Sequence, residues 1–308
     1  MPPVNEAQLA ADYALCARIA RHAENFPVAS RLLPARFRPH LAAVYAYARG
    51  ADDLADEATP RLGERAIAPD PDARLAALDA WEAGLDGPPP AGTEPIFRAL
   101  AASRRDCSLP DGELRSLLQA FRYDVRHQGY ATWEDLLGYA RQSAASIGRL
   151  VLAVCGERNE GVVKSSDELC VALQLTNFWQ DLSRDIPLGR VTLPEGIWRG
   201  KTLDGNRLRA LKGSAAERWK ALGKADRARL VSALAIAVER TETMYEHTHD
   251  LPSRAGKSLG SYLSAVWNGG HTVLERVRDL GEEAFVERPS LSWTDRAAIA
   301  WRAVISRA

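Results

Sequence analysis

No window of this 308-residue chain reaches the roughly 18 uninterrupted apolar residues that a membrane-spanning helix needs. Residues 1–8 lack the charged and apolar halves of a signal peptide. Charge of one sign is lacking too, since 40 Lys and Arg balance 40 Asp and Glu. With no basic block or stripe, nucleic acid is not an expected partner. The four cysteines, Cys16, Cys107, Cys155 and Cys170, are scattered without metal-ligand spacing and predict reduced core thiols. Alternating strand patterns are scarce, and no repeat of fixed period or long low-complexity tract is present.

What fills the chain instead is helix-forming sequence. Ala, Leu, Arg and Glu dominate, and apolar residues recur at steps of three and four. This period predicts helices near 6–24, 39–57, 71–84, 93–104, 110–128, 132–155, 160–185, 204–212, 214–222, 226–247, 256–280 and 292–306. Breakers separate them: Pro60, Pro69 and Pro71, the Gly87–Pro90 run, Pro110, Gly129, Gly156, Gly189, Pro194 and Pro252. The Pro-rich stretch 86–92 is short enough for a loop within one domain. The expectation is therefore a single all-α domain over residues 1–308, long enough to bury a sizeable core.

Two stretches carry unusual chemistry. Tyr45, Arg49, Asp52, Asp53 and Asp56 follow one another at helical spacing, so a cation and several carboxylates share one stripe. On its own this could be a solvated face with Arg49 paired to Asp52 and Asp53. Its apolar flank (Leu41, Val44, Ala48, Ala51, Leu54, Ala55) instead suggests a core helix with its acidic stripe facing a cavity. Farther on, Gln174, Asn177, Asp181 and Asp185 line one face at steps of three, four and four. Like charges one turn apart destabilise a helix unless something positive lies between them. Two such sets, over a hundred residues apart, suggest a shared site for a hard divalent ion such as Mg²⁺, which favours carboxylates and bridges to phosphates.

The motifs Tyr45-Ala-Tyr-Ala-Arg49-Gly-Ala-Asp52-Asp53-Leu-Ala-Asp56, Gln174-x-x-Asn177-x-x-x-Asp181-x-x-x-Asp185 and Gly189-Arg190-x-x-Leu193-Pro194 resemble the squalene/phytoene synthases. A further segment, Tyr139-Ala-Arg-Gln-Ser143-Ala144-Ala-Ser-Ile147-Gly148-Arg149, is similar to another helix of that family. The resemblance covers residues 13–292, nearly the whole chain. Within it, His22-Ala-Glu24-Asn25-Phe26-Pro27-Val28 looks like the bacterial hydroxysqualene synthases of hopanoid biosynthesis, and so does Asn177-Phe-Trp-Gln-Asp181. Departures from the family pattern are Gln180, where Arg is frequent, Thr192 for an aromatic residue, and Ala140 for Cys.

The resemblance implies an all-α helical bundle around a central cavity and a prenyl diphosphate substrate. It implies Mg²⁺ on Asp52, Asp56, Asn177, Asp181 and Asp185, and substrate contacts from His22, Arg49, Gln174, Phe178 and Arg190. Tyr45, Phe26, Tyr139 or Phe178 are expected to face a carbocation, and Asn25, Glu24 or His22 to hold the water that ends the reaction. The implied reaction turns presqualene diphosphate and water into hydroxysqualene and diphosphate. Alternatives are a presqualene diphosphate, squalene or phytoene synthase and, in another class, a non-catalytic helical scaffold. The resemblance further implies a cytoplasmic protein, peripheral to the inner membrane through transient surface contact and functionally coupled to a presqualene diphosphate synthase. The final segment from Trp293 is amphipathic and is read as core packing. His127, His247, His249 and His271 have no partner at metal-ligand spacing, and Gly269-Gly270 is too short for a phosphate loop.

Overall fold

The computed structural model describes residues 5–21, 32–55, 70–126 and 129–290. In chain order the helices are α1 (Glu6–Arg21), α2 (Arg38–Ala55), α3 (Pro71–Ala83), α4 (Glu94–Cys107), α5 (Asp111–Arg126), α6 (Trp133–Ala140) and α7 (Ser146–Val154). They continue with α8 (Glu160–Gln180), α9 (Leu182–Asp185), α10 (Glu195–Trp198), α11 (Gly205–Ala210), α12 (Ala215–Ala221), α13 (Lys224–His247), α14 (Leu251–Arg254) and α15 (Lys257–Leu280). No strand forms among the described residues, where an isolated bridge joins Gly129 to Val191. The all-α expectation holds.

Helix starts have visible causes. Asp70 caps α3 ahead of Pro71, and Asp204 caps α11 by accepting from the Arg207 amide at 2.8 Å. Thr132 with Asp135 and Ser214 with Glu217 form reciprocal capping boxes, each satisfying two amides that lack a helical partner. The two short helices not predicted, α10 and α14, begin beside Pro194 and Pro252, read from sequence as breakers. Pro252 lies in the first turn of α14, where its missing amide has no helical partner, and Pro194 stands just before α10.

Two predicted helices are interrupted. Between α6 and α7, residues Arg141–Ala145 form a π-helical turn, in which Ser143 Oγ donates to the Tyr139 carbonyl at 3.0 Å. The predicted 160–185 helix ends at Gln180, because Asp181 leaves helical geometry at ψ 8°. The predicted helix over 292–306 lies outside the described residues. No helix is long and apolar enough to cross a membrane among the described residues.

The chain forms two compact units. The first comprises residues 1–127, 146–163 and 255–262. Its core places Tyr47, Trp81 and Phe97 ring against ring, with centroids 4.9–5.9 Å apart. Buried Asp12 is matched by both arms of Arg98 at 2.8 Å, so this charge is neutralised where water does not reach it. The second unit comprises residues 128–145, 164–254 and 263–308. There Trp179 donates to Thr241 at 3.0 Å, and Tyr245 meets Thr176 at 3.1 Å, joining α8 to α13. All four cysteines are free; Cys16 is in the core, where burial pushes its thiol up to about 12, and the other three are half-buried.

Candidate active site

The first acidic ridge lies on α2 in the first unit. Leu41, Val44, Ala51 and Ala55 of the expected apolar flank are buried, Ala48 and Leu54 are half-buried, and Tyr45, Arg49 and Asp52 lie on a half-buried face. Arg49 reaches Asp52 at 2.9 Å and Asp53 at 2.6 Å, one residue answering both carboxylates. Burial opposes the Arg49 charge, but Asp52 and Asp53 outweigh it and hold its pKa above the ordinary value. Burial raises Tyr45, so its hydroxyl stays neutral and its ring remains a π face. Asp53 is the most buried of these carboxylates, at 6% side-chain exposure, whereas Asp52 is 46% exposed. Asp52 is thus free of burial constraints on reaching a ligand, and Asp53 serves to fix Arg49. Asp56, expected to share this ridge, lies outside the described residues, as do His22, Asn25 and Phe26.

The second ridge lies at the end of α8 in the second unit. The helix breaks at Asp181, yet the one-turn spacing survives. The Asp181 amide donates to the Asn177 carbonyl at 3.0 Å, and the Asp185 amide donates to the Asp181 carbonyl at 2.8 Å. Asn177, Asp181 and Asp185 therefore remain stacked in order, with half-buried Gln174 a turn before them. The turn after Asp185 is closed by Gly189 at φ 83°, a left-handed conformation suited to glycine. This lets the Arg190 amide return to the Asp185 carbonyl at 2.9 Å.

Charge on this ridge is balanced from a distance. Arg288 Nε is ion-paired with Asp181, and Gln180 donates to the Pro289 carbonyl at 2.8 Å, seating the strand of chain that carries Arg288. At Asp185 burial pushes the carboxyl up to about 6, with Asp181 adding to the shift and Arg190, Arg184 and Arg288 opposing it.

Aromatic rings flank the ridge. Tyr130, Tyr139 and Phe178 form a triangle with centroids 5.7, 5.9 and 6.1 Å apart. Phe178 adjoins Asn177 in sequence, and Tyr139 precedes the π turn, a distortion often found where a helix serves a site. Oxygen donors for a cation and a cluster of aromatic rings thus occur together in one unit.

The donor set at the second ridge fits a hard divalent ion. Two carboxylates and an amide oxygen at one-turn steps supply oxygen ligands, and such an ion fills its remaining positions with water or phosphate. No three of His, Cys, Asp and Glu converge on one point among the described residues, so such an ion would depend on Asn177, water and substrate.

The sequence profile of the squalene/phytoene synthases matches residues 19–297. The chain belongs to the squalene/phytoene synthase family. It is 40% identical to a hydroxysqualene synthase of Sinorhizobium fredii over 177 residues, 57% of this chain and 56% of that protein. It is 37% identical to one from Rhodopseudomonas palustris over 175 residues, 56% of each chain. A 15-cis-phytoene synthase of Paracoccus is 35% identical over 61% of this chain and 62% of that one. The aligned part spans little more than half the length of the first two relatives. The crystal structure of squalene synthase HpnC from Alicyclobacillus acidocaldarius superposes with TM-score 0.73 at 33% identity, covering 90% of this chain and 97% of that one.

Within this family the departures acquire physical meaning. Gln180, where Arg is frequent, is buried and hydrogen-bonded to Pro289, and the guanidinium beside Asp181 comes from Arg288. Thr192 is buried with its hydroxyl unpaired, in a slot where the family more often places a ring. Ala140 is wholly buried. Sequence reasoning missed Arg288 and Tyr130. Arg288 lies 107 residues from its partner and outside every motif, and Tyr130 stands in the turn before α6. Arg190, predicted to bind substrate, is exposed, and its charge is felt by Asp185.

Proposed function

We propose that this chain converts presqualene diphosphate and water to hydroxysqualene and diphosphate. The observation that carries the reading is the second unit's pairing of an oxygen-donor ridge with a triangle of aromatic rings. Loss of diphosphate leaves an anion and a carbocation at once, and this arrangement has a feature for each. The hydroxysqualene synthases among its relatives support the product assignment.

In this reading Asp52, Asp56, Asn177, Asp181 and Asp185 hold Mg²⁺. When bound, such ions would supply Lewis-acid and electrostatic stabilisation to the diphosphate leaving group. Arg49 and Arg190 add fixed positive charge for the same leaving group, and Arg288 joins them when its pairing with Asp181 is exchanged for phosphate oxygen. The ring faces of Tyr45, Phe26, Tyr139 and Phe178 stabilise the cation by about 2 kcal/mol each where water is excluded. Gln174 and His22 contact the substrate. Asn25 holds the water whose oxygen bonds to the cation, and the proton lost from that water leaves a neutral alcohol. The protein acts from the cytoplasm with transient contact to the membrane surface, and receives its substrate from a presqualene diphosphate synthase.

The test is incubation with presqualene diphosphate and Mg²⁺, followed by mass analysis of the triterpene. An alcohol is expected. Squalene formed only when NADPH is added would replace this reading with squalene synthase. Asn25→Ala is expected to keep diphosphate release while moving product from hydroxysqualene toward rearranged alcohols and olefins. An unchanged product ratio would remove Asn25 from water capture.

A further inference from the structure

Asp181, the middle member of the second ridge, is read as a metal ligand, and the structure gives its carboxylate to a cation of the chain's own. Arg288 Nε is ion-paired with it from 107 residues along the chain. The charge of the same guanidinium is felt at Asp185, so one arginine serves both carboxylates of the ridge. Both partners reach water, with side-chain exposures of 24% for Arg288 and 28% for Asp181. An ion pair this wet is weak enough to be exchanged.

The backbone on either side of Arg288 is held. Before it, Phe285 stacks on Trp219 with ring centroids 4.6 Å apart, and Trp219 donates to Glu282 at 2.8 Å. After it, the Pro289 carbonyl accepts from Gln180 at 2.8 Å. Gln180 is buried, and its amide oxygen also accepts from Arg288 at 3.5 Å. Where the family more often carries Arg, this chain thus has an amide that seats a guanidinium from elsewhere. With its backbone fixed, Arg288 leaves Asp181 by a swing of its side chain alone. A divalent ion at Asp181 has to displace it, and a guanidinium displaced with nothing to meet loses a charge-assisted bond. A diphosphate removes that penalty, because a guanidinium pairs with two phosphate oxygens at once.

We propose that Arg288 gates the second ridge: it keeps Asp181 occupied until a diphosphate draws the guanidinium away, so that a divalent ion is held firmly only together with diphosphate. The proposal rests on the function above insofar as Asp181 is a metal ligand there, and it adds an order of binding. A residue that only bound diphosphate, or only stabilised the fold, would not weaken the metal site. A gate does weaken it, in proportion to the fraction of molecules in which the gate is closed.

The test is calorimetric titration of the whole chain with Mn²⁺ alone and, in buffer containing chelator, with inorganic pyrophosphate alone. Arg288→Met is expected to bind Mn²⁺ roughly tenfold more tightly than the parent and pyrophosphate roughly tenfold more weakly, a coupling of ordinary size for linked sites. Gln180→Leu, which unseats Arg288 but leaves its charge on the chain, is expected to tighten Mn²⁺ less, about threefold. Adding Asp181→Asn to Arg288→Met is expected to abolish the gain, which assigns it to this ridge. Unchanged or weaker Mn²⁺ binding by Arg288→Met would overturn the gate. Should circular dichroism show that variant unfolded, the same result with Gln180→Leu would overturn it, as would a gain that survives the loss of Asp181. Neither titration reads a product, so a chain making squalene still passes. A hydroxysqualene synthase whose Mn²⁺ affinity ignores Arg288 fails only this inference.

Discussion

The two acidic ridges have the same spacing and meet the repulsion between their carboxylates in different ways. On α2 the remedy is local: Arg49 lies one turn before Asp52 and Asp53 and answers both. At the end of α8 the remedy is long-range and incomplete. Arg288 reaches Asp181, while Asp185 is left with a carboxyl raised to about 6. A locally neutralised ridge is stable wherever its helix forms. A ridge neutralised from across the chain depends on the tertiary fold, and here it also keeps one carboxylate that burial holds toward its protonated form.

The largest effect expected from breaking this comparison is on turnover. Asp181→Asn and Asp52→Asn should each lower kcat by about 10²–10³-fold, the equivalent of several kcal/mol of lost charge stabilisation. Parental rates in steady-state assays of both variants would remove these residues as ligands. Together the two substitutions should lose less than the product of the single losses if both ridges serve one diphosphate, because groups acting as a unit are not additive.

Stability separates the ridges next. Arg49→Met strands the buried Asp53 carboxylate and should cost about 2 kcal/mol in urea denaturation. Arg288→Met strands Asp181, which is 28% exposed, and should cost less than about 1 kcal/mol. Equal losses would erase the distinction between buried and half-exposed partners.

A subtler effect is a pH dependence. The Asp185 carboxyl is raised from 3.8 to about 6, so the folded chain holds this proton more tightly than the unfolded one. The stability it contributes is complete below pH 3.8 and is lost as pH rises through about 6. Asp185→Asn removes that loss. In buffer containing chelator, the variant should match the parent in acid and exceed it above pH 6 by on the order of 2 kcal/mol. A stability difference that is the same at pH 4 and pH 8 would show that burial at Asp185 does not set its titration.

Much of this was legible in the sequence because helices announce themselves locally. The apolar steps around Leu41, Val44 and Ala51 located α2 and its half-buried ridge, and the starts expected at 132, 204 and 214 fall on Thr132, Asp204 and Ser214, whose caps act within four residues. The break at Asp181 was not legible, since no glycine or proline occupies that position and the regular spacing of Asn177, Asp181 and Asp185 continues through it. The π turn escaped for a similar reason, since its sequence reads as ordinary helix. Arg288 was hidden by distance along the chain.

Gly270, in the middle of α15, shows how a substitution can act on the second ridge without touching a ligand. A Cβ there would lie 2.3 Å from both Leu173 Cδ2 and Tyr245 Oη. Tyr245 is fully buried and hydrogen-bonded to Thr176, so it has little room to retreat. Leu173, immediately before Gln174, would have to give way. The bare backbone at Gly270 works as a depth stop, setting how closely α15 seats against α8. A single added methyl would press on Leu173, so the packing of the residue that precedes Gln174 is governed by the absence of an atom on a neighbouring helix.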